Sequence, residues 1–130
     1  MMNAPSHVLN WQFGWWLVLA GFATGAVIGL WFHHDDFLGG YNSFRRRLVR
    51  LGHIALAALG IMNVVFSLSP WPVAGTWIGT AASVCFVAGG ISMPAACFLT
   101  AWREGFRHVF AVPVTALVLA VVFTCLGGGA

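Results

Sequence analysis

Apolar residues recur along the chain in four long runs, at about positions 11–32, 49–68, 73–101 and 109–126. Charged side chains gather in and beside the breaks between these runs. A helix of about 20 apolar residues is long enough to cross the hydrocarbon core of a bilayer. Since the runs lack the alternation of membrane β-strands, the pattern predicts four membrane-spanning helices.

The breaks between the runs define the connections. Pro70 and Pro72 lie in the second break, where they predict a short helical hairpin. The first and third breaks, at 33–50 and 102–108, carry the charges. Four spans use most of the 130 residues, so we expect a single membrane domain, residues 1–130.

The composition agrees with an environment of lipid. Hydrophobic residues make up 60% of the chain and charged residues only 7%, whereas charge is about 25% of an ordinary soluble domain. Mean hydropathy is +0.88. We therefore expect an all-α integral membrane protein, folded as one bundle of four transmembrane helices. Its expected partners are membrane lipids, other membrane subunits or a second copy, and not nucleic acid.

The basic residues are distributed unevenly between the breaks. All six are arginines, namely Arg45, Arg46, Arg47 and Arg50 in the first break and Arg103 and Arg107 in the third. The second break and both tails have none. Basic loops remain on the cytoplasmic side of a membrane. Loops 33–50 and 102–108 are therefore predicted to be cytoplasmic, with both termini outside, in a multi-pass topology of the inner (plasma) membrane.

Small residues form stripes on the predicted helices. Gly21, Gly25 and Gly29 recur at four-residue spacing on the first helix, and Gly60 and Gly90 lie on stripes of the second and third. Because lipid is as apolar as leucine, membrane helices associate through close contact at small residues. The stripes therefore predict helix-packing faces. They also suit a flat cofactor, and the sequence does not separate the two interpretations.

Residues that can bind a haem iron cluster toward the predicted cytoplasmic side. His33 and His53 are candidate axial ligands of a b-type haem, with Met93 as a substitute, since haem iron accepts His with His or His with Met. An ionisable residue inside a membrane is a functional candidate by default. The alternative for His53 is a neutral histidine near the interface, bonded to a carbonyl or a headgroup. No residue spacing identifies a site for a metal ion.

The arginine cluster fits either a cofactor or a lipid. Guanidinium groups pair bidentately with carboxylates, so haem propionates are one class of ligand for this cluster. Anionic lipid headgroups explain the same residues. The cluster consists of Arg45, Arg46, Arg47 and Arg50.

Two functions remain from the sequence. The first is a small subunit associated with a respiratory-type electron-transfer complex, holding b-type haem or lining a quinone site near the cytoplasmic face. The second is a non-catalytic accessory or assembly subunit of a larger membrane complex, with no cofactor of its own. The predicted spans contain no carboxylate, which argues against small proton-coupled transporters. Two short loops leave little room for a substrate site, so we expect no independent catalytic activity.

Overall fold

Four helices make up most of the described chain. The computed structural model describes residues 5–128, in which α1 spans Pro5–Trp31, α2 Phe44–Leu68, α3 Trp77–Trp102 and α4 Ala111–Gly127. Two 3-10 segments, Phe37–Gly39 and Glu104–Phe110, lie in the connections that precede α2 and α4. Residues 1–4 and 129–130 of the predicted domain lie outside the described residues.

All four helical segments are long and apolar enough to cross a membrane. The fourth such segment is counted from Glu104, through the 3-10 turns, to Gly127. Between residues 5 and 128 the chain contains no strand. The prediction of an all-α bundle of four membrane helices is therefore confirmed.

The first two helices begin earlier than the apolar pattern predicted. α1 begins at Pro5 rather than near residue 11, and α2 begins at Phe44 rather than near residue 49. The prediction began each span at its apolar run and left out the polar residues before it. A helix can begin among such residues, outside the hydrocarbon core. α1 has 27 residues and is therefore about 40 Å long, against about 30 Å of hydrocarbon.

The start of α2 changes where the arginines lie. Ser43 caps the helix, and its hydroxyl accepts a hydrogen bond from the backbone N–H of Arg46 at 3.1 Å, as N-terminal serines commonly do. Four arginines predicted to lie in a loop are therefore on the first two turns of α2, namely Arg45, Arg46, Arg47 and Arg50. The first connection is thus 32–43, and the third is 103–110.

The third and fourth helices begin slightly later than predicted, at Trp77 rather than near residue 73 and at Ala111 rather than near residue 109. Before α3, the hydroxyl of Thr76 accepts a hydrogen bond from the N–H of Gly79 at 3.1 Å. The start of α3 is therefore set by a capping side chain, which hydrophobic periodicity does not register.

α1 and α2 pack antiparallel along a stripe of small residues. Three glycines of α1 crowd the partner helix: Gly14 meets Val64, Gly21 meets Ala57 and Gly25 meets His53. A Cβ atom on Gly25 would lie 2.5 Å from Cε1 of His53. From α2, a Cβ on Gly60 would lie 2.7 Å from the carbonyl oxygen of Gly14. Such distances require glycine, and they bring the two backbones into close van der Waals contact.

The glycine stripe of α1 leaves the contact with α2 before the end of the helix. Gly29 lies one turn beyond Gly25, yet a Cβ placed on it would have no heavy atom within 4 Å. The register that pairs Gly25 with His53 brings Gly29 opposite Val49, four residues along each helix. The glycine stripe of α1 is therefore in contact with α2 at Gly21 and Gly25 but not at Gly29.

α3 is the most enclosed helix because it touches the other three. Each of these contacts involves a glycine. On α3, Gly90 meets Phe13 of α1, Phe98 meets Gly52 of α2, and Gly89 meets Leu117 of α4. In the most apolar stretch of α3, 44% of the residues are buried, against 11% in the fourth span. α3 therefore forms the centre of the bundle, and α4 lies at its edge.

Both arginine-bearing regions lie at one end of the bundle. Arg45, on the first turn of α2, donates from Nε to the carbonyl oxygen of Ala101, near the end of α3, at 2.8 Å. At the opposite end, Pro72 in the second connection packs against Gly127 at the end of α4. The chain thus places its first and third connections together and its second connection on the other side.

Gly25→Leu should disrupt the contact between α1 and α2, because the new side chain would have to displace the ring of His53. Overpacking of this kind costs about 1–3 kcal/mol. We expect a lower midpoint of thermal unfolding in detergent. On a native gel we also expect loss of the assembly that the protein forms with other membrane subunits or with a second copy. Gly29→Leu is the matched control and should leave both unchanged, since it enters open space. Equal losses in the two variants would contradict the proposed contact.

Candidate functional sites

A hydrogen-bonded polar cluster lies inside the bundle, where α1, α2 and α3 meet. Asn10 and Asn63 are fully buried, and Ser83 is 1% exposed. Asn10 donates from Nδ2 to Oδ1 of Asn63 at 2.7 Å, and its own Oδ1 accepts a hydrogen bond from the hydroxyl of Ser83. One side chain from each of three helices is thus joined in a continuous network.

The amide of Asn63 is fully paired. Besides accepting from Asn10, it donates from Nδ2 to the carbonyl oxygen of Leu59 at 2.9 Å and to that of Phe86 at 3.4 Å. An unpaired polar group in hydrocarbon costs several kcal/mol. The complete pairing of Asn63 therefore holds α2 against both α1 and α3.

His7 extends this polar region toward the start of α1. Its side chain is 5% exposed, and its ring meets that of Phe66 edge-on, with centroids 5.6 Å apart. The Nε2 atom of His7 has no hydrogen-bond partner among residues 5–128. Sequence reasoning missed His7 and Asn10 because the first span was predicted to begin at residue 11. Their spacing with Gly14, at three and then four residues, is the helical signal that could have found them.

His53 is half-buried and is held by α1. Its Nδ1 lies 3.3 Å from the hydroxyl oxygen of Thr24. That hydroxyl donates its single proton within its own helix, to the carbonyl oxygens of Ala20 at 2.8 Å and Gly21 at 3.0 Å. The hydroxyl oxygen is therefore an acceptor toward His53, which favours the tautomer with the proton on Nδ1. The Nε2 atom then carries the free lone pair.

The other predicted haem ligands lie in different surroundings. His33 is exposed beyond the end of α1, with its ring centroid 4.1 Å from that of His34. The α1 residues that contact His53 are Thr24 and Gly25, eight or more residues before His33, so the structure does not bring the two histidines together. Met93 is half-buried on α3. In the described part of the chain, no group of three His, Cys, Asp or Glu side chains is placed to bind a metal ion.

Cys97 packs α3 against α2. It is buried, one turn along α3 from Met93, and its Cβ would lie 3.2 Å from a Cβ placed on Gly52. Gly52 immediately precedes His53, but neighbouring residues of a helix point about 100° apart. Gly52 therefore faces Cys97 of α3, whereas His53 faces Gly25 of α1.

Two arginines of the cluster bind the ends of neighbouring helices. Arg46 is only 3% exposed, and its guanidinium donates to the carbonyl oxygen of Phe32 and, at 3.4 Å, to that of His34. Arg45 donates to the carbonyl oxygens of Ala101 at 2.8 Å and Trp102 at 3.2 Å. The last carbonyls of a helix lack partners within it, so Arg46 satisfies those after α1 and Arg45 those of α3.

The remaining arginines of the cluster are differently placed. Arg47 is exposed, whereas Arg50 is half-buried and its guanidinium carbon lies 5.0 Å from the ring centroid of Tyr41. The same ring lies 5.6 Å from the guanidinium carbon of Arg46. The four predicted headgroup or propionate ligands therefore divide into two that bind helix ends and two that do not.

No protein-family model, curated protein or solved structure matches the chain. The class of protein is therefore defined by the fold and its interior. It is a multi-pass membrane protein whose four helices are joined by glycine contacts and by a buried network of two asparagines and a serine.

Asn63→Leu should destabilise the bundle, because it removes the acceptor of Asn10 and leaves that amide unpaired in an apolar interior. We expect a loss of about 1–3 kcal/mol, measured as a lower midpoint of unfolding by denaturing detergent. Thr115→Val is the matched control, since Thr115 is exposed and its hydroxyl bonds only to the carbonyl of Ala111 in its own helix, at 2.7 Å. If Asn63→Leu were as stable as the control, the network would not be what joins the helices.

Proposed function

We propose that the protein is an accessory subunit that packs within a larger, respiratory-type complex of the inner membrane. The observation that carries this proposal is the apolar exterior of the bundle. Five large side chains on that exterior each expose between 69% and 73% of their surface, namely Trp16, Phe22, Leu30, Trp77 and Trp102. In the fourth span only 11% of the most apolar stretch is buried. These faces suit partner helices, and the short connections leave little surface for chemistry outside the membrane.

The orientation of the bundle is part of this proposal. The arginines at the start of α2 and those of the third connection, Arg103 and Arg107, lie at the same end, because Arg45 bonds to the end of α3. An excess of arginine favours the cytoplasmic side. The proposed topology therefore has the 32–43 and 103–110 connections in the cytoplasm and both termini outside.

A second candidate function is electron transfer. The protein would either hold a b-type haem at His53 or line a quinone site there. The hydrogen bond from Nδ1 to Thr24 supports it, since histidines that bind metals usually have their other ring nitrogen held in this way. Met93, half-buried on α3, is then the remaining candidate for the second ligand, since His33 is exposed beyond α1.

The packing around Gly25 favours the accessory function over haem binding. The space that this glycine leaves is filled by the ring of His53 itself, 2.5 Å from the position of an added Cβ. At Gly21 the corresponding space is filled by Ala57. A flat cofactor between α1 and α2 at this level would have to separate helices that are already in contact.

Photo-crosslinking in native membranes tests the accessory function. A benzoylphenylalanine at position 22, where Phe22 is 69% exposed, should crosslink to one discrete protein, and mass spectrometry should identify that protein as a membrane subunit of an electron-transfer complex. The same probe in place of Phe86, which is 4% exposed, should crosslink only within the chain. Crosslinks from position 22 to lipid alone would contradict the proposal.

The visible spectrum of the purified protein tests the second candidate. After expression with a supply of haem, haem binding at His53 predicts a Soret band and a sharp α band on reduction with dithionite. Both should be lost in His53→Ala and retained in His108→Ala, a control at an exposed histidine. A colourless protein would exclude the haem candidate and leave the accessory function unaffected.

A further inference from the structure

An apolar groove opens between α1, α2 and α3, near the end of the bundle that carries the arginine cluster. Its volume is about 260 Å³, and it is lined by Ala23, Thr24, Val27, Ile28, Val49 and Phe98. The hydroxyl of Thr24 donates to the carbonyl oxygen of Ala20 at 2.8 Å, so this residue is paired within its own helix. The groove therefore offers hydrocarbon contacts to whatever occupies it.

The groove lies along the part of α1 where its glycine stripe leaves the contact with α2. At Gly25 the two helices are in contact through His53, but one turn later Gly29 has no neighbouring heavy atom within 4 Å of its Cβ position. Val49, which lines the groove, is the residue opposite Gly29 in the register of the two helices.

Arg45 and Arg46 border the mouth of the groove. Val49 follows them by four and three residues, so all three share one face of α2. Arg45 reaches the end of α3 at Ala101, three residues after the groove residue Phe98. Arg46 reaches the end of α1 at Phe32, four residues after the groove residue Ile28. The two guanidinium groups therefore lie about one turn from the groove, on either side of it.

The hydrogen bonds of Arg46 do not neutralise its positive charge. Arg46 is 3% exposed, and it donates to the carbonyls of Phe32 and His34, which are neutral. Its Nε is buried and has no hydrogen-bond partner among residues 5–128. A buried charge without a counter-ion is costly, so an anion at the mouth would stabilise this arrangement.

The geometry points to a binding site for one anionic phospholipid, with an acyl chain in the groove and the phosphate at the exposed Arg45, near the buried charge of Arg46. Guanidinium groups pair strongly with phosphate oxygens, and anionic lipids are abundant in the cytoplasmic leaflet. The side chains that line the groove offer only hydrocarbon contacts, which suits part of an acyl chain. This site rests on the proposed orientation of the bundle, but not on the accessory function.

Native mass spectrometry of the full chain in detergent tests the headgroup. With dioleoylphosphatidylglycerol we expect one bound lipid per chain, and much weaker binding of dioleoylphosphatidylcholine, which has the same acyl chains. Arg45→Gln should lower the affinity for the anionic lipid about fivefold, the contribution of one arginine near an anionic surface, whereas Arg45→Lys should retain the preference. Arg47→Gln is the matched control, because Arg47 is exposed and lies two residues from both Arg45 and Val49, on the opposite face of α2.

The groove itself is tested by filling it. Ala23→Phe should abolish binding of the anionic lipid, while Ala58→Phe, at an exposed position of α2 that faces away from Val49, should not. Equal binding of the two lipids would overturn the role of the arginines. Unchanged binding in Ala23→Phe would overturn the role of the groove. The arginine variants keep the proposal testable if Ala23→Phe fails to fold, since their thermal midpoints can be compared with that of Arg47→Gln.

Discussion

Helices in a bilayer cannot gain stability by removing apolar side chains from water, because the lipid around them is already apolar. The association of α1, α2 and α3 therefore depends on close packing and on hydrogen bonds. Glycines bring the backbones together at Gly14, Gly21 and Gly25. The bond between Asn10 and Asn63 then joins two of these helices. The glycine contacts and this hydrogen bond form only if the helices keep one register. That register fixes the positions of all the other side chains.

That register determines what happens at the end of the bundle with the arginine cluster. Arg45 and Arg46 are adjacent in sequence, but the helix turns them toward different neighbours, α3 and α1. The last carbonyls of both neighbours, which lack partners within their own helices, are thereby paired. The same residues supply the charge at the mouth of the groove, so one feature serves both helix capping and the proposed binding of lipid.

The interior and the exterior of the bundle bear on different candidate functions. Inside, the space near Gly25 is occupied by His53, so the glycines serve contact between helices rather than accommodation of a flat ligand between α1 and α2. Outside, α4 and the exposed aromatic side chains offer large apolar faces. This distribution is why the accessory function is preferred and why electron transfer at His53 is the second candidate.

The sequence by itself determined that the chain forms four membrane helices and that its arginines are confined to two regions, because apolar content and charge are local properties of each segment. It placed Gly21, Gly25 and Gly29 on one stripe but did not distinguish them, although only the first two are in contact with α2. It also placed Arg46 in a loop, whereas the residue is buried on the first turn of α2. Only the tertiary structure decided these points, together with the pairing of Asn10 with Asn63, 53 residues apart. The physical reason is that the neighbours of a membrane-embedded side chain are set by the register between helices, and that register depends on all the contacts of the bundle at once.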